Sequence, residues 1–538
     1  MSAIQRANRP QNSLYASRRS NGVPSFSLET LEQRAMLAAN AWLSSGNLYI
    51  VADSYGGSVE ISTNWPDATS TSRYQSANNY AISAAAIGSA SNTWGWSIGS
   101  PSLAVTGVSP NGNIHRNFDM STIDQIFFFG SSDSDLVTNH TSVPSTMYGF
   151  GGDDVLVGGA ARDRLYGGND HDKLRGNGGD DDLQGGSGND VIHGDSGNDV
   201  LSGDSGNDKL FAGSGRDYLH GGSNDDVLVS IDGDATDHLF GNSGNDSFWI
   251  DREVAWIFSA TDKVRDASAF ELSNNVHEVQ RFENGDKSLD GDDLADPVDG
   301  RFYKDFSDRP LFADAGPSSL DMRQGAQADC WLISAMGSIA KADPNRIRQT
   351  VVDLGDGTYG VQLAGKFYRV DGDLPTDGPT TSNLVNAGFG QQNSIWLPII
   401  EKAYTFKTVL TFAPPGTAAV YAMGGADTSL VYGDLGMSVD SLAATSASTT
   451  LFYLASQLRV GRAVTLYINT PAANCPCIGN HFYVVERVNF QGGRPVSVVL
   501  RNPWGRDGAG SDGLNDGLVT VSGNQLVASG AVVRSATV

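Results

Sequence analysis

Between residues 149 and 249 the apolar positions of this 538-residue chain recur every nine residues. Blocks begin at 149, 158, 167, 176, 185, 194, 203, 212 and 221, each with Asp at its sixth position and Leu or Ile at its eighth. Gly185-Gly-Ser-Gly-Asn-Asp190-Val-Ile192-His shows the pattern most clearly. After a two-residue slip, blocks at 232 and 241 carry Asp246 and Phe248 at their ends, and an imperfect block with Asp135 and Val137 begins at Gly130. A glycine-rich six-residue turn followed by a three-residue strand sends one apolar side chain per block into a stacked interior, and two blocks close one coil. The spacing predicts a parallel β-roll over 139–249.

Elsewhere the patterning is of other kinds. Residues 41–138 read as a β-rich module with strands near 47–52, 58–62 and 123–129. Residues 250–310 read as capping strands (254–258 and 276–282) followed by an acidic linker at 286–296. From 311 the chain first becomes helical. Leu332, Met336 and Ile339 share one helical face, and Asp343-Pro344 supplies a stop. A second helical segment runs from Trp396 to Phe406, with a β insertion between Tyr359 and Val370. Alternating strands then follow at 464–469, 482–490 and 496–501. The expected fold class is multidomain α+β: the β-rich N-terminal region, the roll, and a two-lobed domain at 311–538. Its helical lobe spans about 321–430 and its β lobe about 450–538.

Charge sharpens the reading of the roll. The chain has a formal charge of −25, and residues 149–249 hold 20 Asp, no Glu and six Lys or Arg, so 14 of the excess negatives lie there. Stacked turns would align Asp154, Asp163, Asp172, Asp181, Asp190, Asp199, Asp208, Asp217, Asp226, Asp237 and Asp246 in rows. Aspartates that merely stabilise turns would repel one another at that spacing. Glycine frees the backbone to turn carbonyl oxygens inward, and carboxylate with carbonyl oxygens suits Ca²⁺. The eleven blocks resemble the RTX-type calcium-binding nonapeptide repeat, which implies Ca²⁺ as cofactor.

The candidate chemistry lies in Gln324-Gly325-Ala326-Gln327-Ala328-Asp329-Cys330-Trp331. A thiol opening a helix feels the positive end of the dipole, which favours thiolate. An upstream glutamine can donate N–H to an oxyanion. His481 follows in Gly479-Asn480-His481-Phe482-Tyr483 and Asn502 in Arg501-Asn502-Pro503-Trp504-Gly505. Taken singly, each has a plain structural explanation: a core cysteine, a strand histidine, a turn asparagine. The specific signal is their constellation, in the order Cys, His, Asn. Together with Trp396-Leu-Pro-Ile-Ile-Glu401-Lys402-Ala403-Tyr404, these segments resemble the papain-like catalytic core of calpain-type cysteine proteases. The resemblance covers roughly 301–538. It implies Cys330 as nucleophile, His481 as base, Asn502 orienting the imidazole, Gln324 in the oxyanion hole and Trp504 shielding the His–Asn hydrogen bond. Ala328 and Phe482 depart from the family pattern, where glycine and a small residue are usual.

Three cysteines make no disulfide framework. Cys475-Pro-Cys477 lacks a companion pair at zinc spacing, which leaves a strained local disulfide or plain loop thiols. No run of about 20 apolar residues exists, so no membrane span is expected. The acidic balance disfavours nucleic acid as a partner. Residues 1–40 hold a basic segment and a short amphipathic stretch. Within it Leu31-Glu32-Gln33-Arg34-Ala35-Met36-Leu37 resembles the LEPR-XLL export motif of planctomycetes, departing at Gln33 and Met36. The expected activity is a calcium-dependent cysteine endopeptidase acting on proteins or peptides at the cell surface or outside it. The alternative is a surface adhesion or matrix protein with an inactive protease fold. Asp353, Asp356, Asp371, Asp373 and Asp507 are acidic loop residues of the catalytic half that spacing does not assign as ligands.

Overall fold

The computed structural model describes residues 39–52, 58–63, 102–108, 114–232, 236–252, 262–284, 294, 296–297, 302–325, 329–412, 425–505 and 516–538. The motif at 31–37, the strand expected at 254–258, Ala328 and Asp507 lie outside these residues.

The nine-residue period becomes two parallel sheets facing each other, with successive blocks alternating between them. In one sheet Leu165 pairs with Leu183 and Leu183 with Leu201; in the other Leu174 pairs with Ile192 and Ile192 with Leu210. Eighth-position side chains from Leu156 to Phe248 are buried and stack into one core. Position one is glycine in most blocks, Ala212 and Asp232 being exceptions, and the space beside it is tight. A Cβ at Gly203 would lie 2.3 Å from Asp208 Oδ2 and 2.6 Å from the Gly221 carbonyl oxygen.

The region expected to be a separate module instead extends the roll. Asn47–Ala52 pairs in parallel with Gln125–Phe129, and that strand with Ser145–Phe150. On the other sheet Ser58–Thr63 joins Leu136–Asn139, which joins Val155–Val157. A coil needs inward apolar residues, and Leu48, Ile50, Ile126, Phe128 and Val137 supply them. The Asp-bearing turn is not required for stacking, so a search for the turn pattern starts too late. At the far end Lys263–Val264 and Val276–Val279 extend the two sheets. A short helix, Ala269–Asn274, closes the stack through a capping box of Ser268 and Glu271.

The catalytic half divides as expected. The helix Cys330–Ala342 is buried along nearly its whole length. It shares a core with the helix Trp396–Phe412 and with one face of a three-stranded antiparallel sheet, Val351–Asp353, Thr358–Leu363 and Lys366–Asp371. The second lobe is a six-stranded antiparallel sheet. At its centre Ala463–Ile468, His481–Gln491 and Arg494–Arg501 lie side by side. Phe482 and Val484 reach across into the core of the first lobe, so the cysteine helix and the histidine strand pack directly on each other.

Candidate active site

Cys330 is the first residue of its helix and is half-buried. Hydrogen bonds fasten this helix to the histidine strand: Ser334 Oγ donates to the Phe482 carbonyl at 3.1 Å, and Lys341 Nζ to the Val485 carbonyl at 2.7 Å and to the Glu486 carbonyl. The backbone of Phe482 also lies against the Cys330 thiol. Strand alternation turns Phe482 away from its neighbour His481, and its ring tilts against Tyr467 at 4.8 Å. A bulky residue after the histidine is therefore accommodated by the inter-lobe core.

His481, Asn502 and Trp504 converge. The buried imidazole meets Asn502 through Nε2 and Oδ1 at 3.0 Å, and the same oxygen accepts the Trp504 N–H at 3.1 Å. The indole covers the imidazole with ring centres 5.0 Å apart. Asn502 is fully buried and tied to Gly517 by its own N–H at 2.8 Å. Gln324 is brought to the same turn, its N–H donating to the Pro503 carbonyl at 2.8 Å. Gly325 follows because no side chain fits there: a Cβ would fall 1.9 Å from the Val385 carbonyl oxygen. All five residues singled out in the sequence thus lie around one junction between the lobes.

The electrostatics differ from the sequence expectation. Burial pushes the Cys330 thiol up, against the thiolate expected at a helix start. Burial lowers His481, against the opposing pull of its Asn502 bond. No hydrogen bond joins the thiol to the imidazole among the described residues. Sequence reasoning also missed a buried acid pair beside the nucleophile. Asp329 and Glu401 are both fully buried, and the Asp329 carboxyl stands against the Glu401 carboxyl and the Gln324 side chain. Burial raises Asp329, which holds it toward its neutral form. Glu401 accepts the Ala387 N–H at 2.7 Å. Only burial, invisible in a sequence, distinguishes these two from ordinary surface acids.

Cys475 and Cys477 are free, buried thiols hydrogen-bonded to each other, which lowers Cys475 to about 6 and raises Cys477. Of the unassigned loop acids, Asp356 is engaged by the buried Arg369 and Asp371 by the buried Lys402. Those two carboxylates are neutralised by cationic side chains.

In the roll, each sixth-position Asp uses one oxygen to continue a ladder. Asp190 Oδ1 accepts the Asp172 N–H at 2.8 Å, and Asp208 Oδ1 accepts the Asp190 N–H at 2.8 Å. The rows end on residues outside the period, Asp262 accepting from Asp237 at 3.1 Å and Glu271 from Asp246 at 2.8 Å. The other oxygen is different. Oδ2 of Asp154, Asp172, Asp181, Asp190, Asp199, Asp208 and Asp226 is buried without a hydrogen-bond partner. Burial pushes Asp154, Asp181 and Asp226 up to about 8 and Asp172 and Asp208 to about 7. Orphaned carboxylate oxygens beside backbone carbonyls, as at Asp208 and Gly221, fit a hard cation with oxygen ligands. No three acidic, imidazole or thiol side chains gather into one ligand set among the described residues, so backbone oxygens must complete each site.

Fold and site together define a two-lobed domain with a thiol and an imidazole at the lobe junction, joined to a β-roll whose buried aspartates suit a cation. Comparison with known proteins gives both parts a family. Residues 281–516 match the calpain family cysteine protease, and residues 148–183, 175–210, 202–230 and 231–249 match the RTX calcium-binding nonapeptide repeat. The chain is 28% identical over 224 residues to Calpain-9 of Homo sapiens, covering 37% of this chain and 30% of that protein. It is 28% identical over 232 residues to the Calpain-1 catalytic subunit of Bos taurus, covering 38% and 31%. The chain thus spans about 30% of the length of the relatives it matches. It carries a calpain-family cysteine protease domain and calcium-binding repeats, and its cofactor is Ca²⁺. No helix among the described residues is long and apolar enough to cross a membrane.

Proposed function

We propose that the chain is a calcium-dependent cysteine endopeptidase using Cys330, His481 and Asn502. The observation that carries this reading is the His481 Nε2–Asn502 Oδ1 bond beneath Trp504. It fixes the ring by one nitrogen and leaves Nδ1 for the thiol proton. Cys330 Sγ gives that proton to His481 and attacks the substrate carbonyl carbon. The oxyanion is met by the Cys330 backbone N–H and by Gln324, whose amide carries two N–H bonds, one for Asp329 and one for the oxyanion. His481 then passes the proton to the leaving amine, and water releases the acyl group from sulfur. In the roll, the sixth-position aspartates from Asp154 to Asp246 would hold Ca²⁺, which supplies positive charge to the buried rows. The substrates are proteins or peptides, and the repeats favour a secreted or cell-surface location.

Burial, which pushes the thiol up and the imidazole down, and the lack of a hydrogen bond between them among the described residues favour a second reading, an adhesion or matrix protein whose protease fold is inactive. A thiol-directed peptide probe separates the two. Calcium-dependent labelling at Cys330 and hydrolysis of a fluorogenic peptide are expected. An intact, calcium-loaded chain that neither labels nor hydrolyses would overturn the peptidase reading.

A further inference from the structure

We propose that the outer face of the last coils of the roll is a docking surface for the catalytic lobe, through which calcium folding of the repeats makes the lobe competent. The inference rests on the peptidase reading for its activity arm, and its structural arm stands apart from it. The ninth position of each block points out of the roll. On the sheet away from the catalytic half this position reads Tyr166, Gln184, Ser202, His220 and Phe240 in register. On the facing sheet it reads Val157, Arg175 and His193, followed by an apolar run of Phe211, Val229 and Trp249. Three apolar side chains in successive coils on the outer face are not needed to build the roll.

The row is covered. Phe211, Val229 and Trp249 form a buried cluster with Val352, Leu354 and Phe367 of the three-stranded sheet in the catalytic half. Trp249 meets Phe367 edge-on at 5.9 Å. Gly355 has φ +86, and a Cβ there would lie 2.8 Å from the Phe211 ring and 2.9 Å from His193. Polar contacts fix the register around this patch. Ser247 Oγ donates to Gln349 Oε1 at 2.8 Å, and the buried His277 bridges Gln349 and Gln362 at 2.8 and 2.9 Å. The chain leaving the roll then lines the edge of the same sheet, the Glu283 N–H donating to the Phe367 carbonyl at 2.8 Å.

The far face of that sheet leads to the nucleophile. Tyr359, Val361, Tyr368 and Val370 share a core with Trp331 and Tyr404, whose rings meet edge-on at 6.0 Å, and Cys330 packs against it. Calcium acts on the roll, since the orphaned aspartate oxygens lie there. A lobe whose rear sheet packs on the folded roll inherits that dependence.

The test uses the full chain. Phe211→Arg/Val229→Arg places on the outer face the residue type that Arg175 already carries there, so the roll is expected to fold. Leu354→Asp perturbs the same contact from the lobe and leaves the repeats untouched. Amide hydrogen exchange over residues 351–371 is followed as Ca²⁺ is added, beside hydrolysis of a fluorogenic peptide. In the unaltered chain, protection of 351–371 should rise at least tenfold together with protection of the repeats. In either variant the repeats should respond to Ca²⁺ as before, while protection of 351–371 stays at its calcium-free level and hydrolysis falls at least fivefold. The proposal is overturned if 351–371 ignores Ca²⁺ in the unaltered chain, or if both variants keep full protection and rate. A chain whose exchange couples but which hydrolyses nothing leaves docking intact and removes the peptidase reading.

Discussion

Calcium-free repeats should gain structure as pH falls and lose it as pH rises, opposite to the usual behaviour of carboxylate-rich proteins. An unfolded Asp ionises near 4. In the folded roll Asp154, Asp181 and Asp226 hold their protons up to about 8 because burial disfavours their charge. A folded value above the unfolded one means that the native state binds more protons between about pH 4 and 8. Stability is therefore fully present below the unfolded value and is lost as pH rises through that window. At about 1.4 kcal/mol per pH unit, a group still protonated in the folded state at pH 7 but ionised in the unfolded one removes about 4 kcal/mol of stability by that pH. Solvent reaching the open turns reduces this to about 2 kcal/mol. Three such groups together cost about 6 kcal/mol, as much as the whole net stability of many domains. An ion at about a hundred times its Kd returns about 2.7 kcal/mol per site, so two or three filled sites restore the balance.

The assay is amide exchange over residues 154–246 of the full chain, corrected for intrinsic pH dependence. In chelator, protection at pH 5 should exceed that at pH 8 by at least tenfold. Protons also compete with Ca²⁺ for the same oxygens, so the calcium midpoint should fall as pH rises from 6 to 8. Equal protection in chelator at pH 5 and 8, or a midpoint that ignores pH, would refute the account of the orphaned oxygens.

At the catalytic junction, Cys330→Ser should abolish peptide hydrolysis while leaving the melting temperature unchanged. The oxygen is nearly isosteric but far less acidic, and a normal rate in that variant would mean that the nucleophile is misassigned. Asn502→Ala frees the His481 ring and should lower kcat about 100-fold with KM little changed, measured by steady-state kinetics. Asp329→Asn mimics the neutral acid and should retain kcat/KM within about threefold. Asp329→Ala leaves Glu401 without that neighbour and should cost about 1–3 kcal/mol in denaturant unfolding.

Legibility in the sequence followed the range of the interaction. The roll was readable because its cause is local: one inward side chain and one glycine-bearing turn every nine residues, repeated until chance fails. Its ends were harder. The strands before Gly130 supply Leu48, Ile126 and Phe128 to the same interior without the turn, so they share the roll's physics but not its pattern. Likewise Asp262 and Glu271 close the aspartate rows from outside the period. The catalytic residues were legible for another reason. The chemistry demands particular side chains in a particular order, and those are rare enough in combination to stand out even though His481 lies far from Cys330 along the chain.

What lay hidden was burial between distant pieces. Nothing near Asp329 or Glu401 announces that both lose all contact with water, and the burial that pushes the Cys330 thiol up is equally silent in the sequence. The docking row was hidden in a different way. At Phe211, Val229 and Trp249 the ninth position is apolar in three successive coils, yet a repeat tolerates almost anything on its outer face, Val157 and Phe240 included, so the run looked like ordinary variation. It acquires meaning only beside Leu354 and Phe367, more than a hundred residues further on. A repeat's invariant positions therefore describe how it folds, and its variable positions, read along one face in register, describe what it holds. In this chain the variable face leads to the sheet behind the nucleophile, which ties the calcium chemistry of the first half to the thiol chemistry of the second.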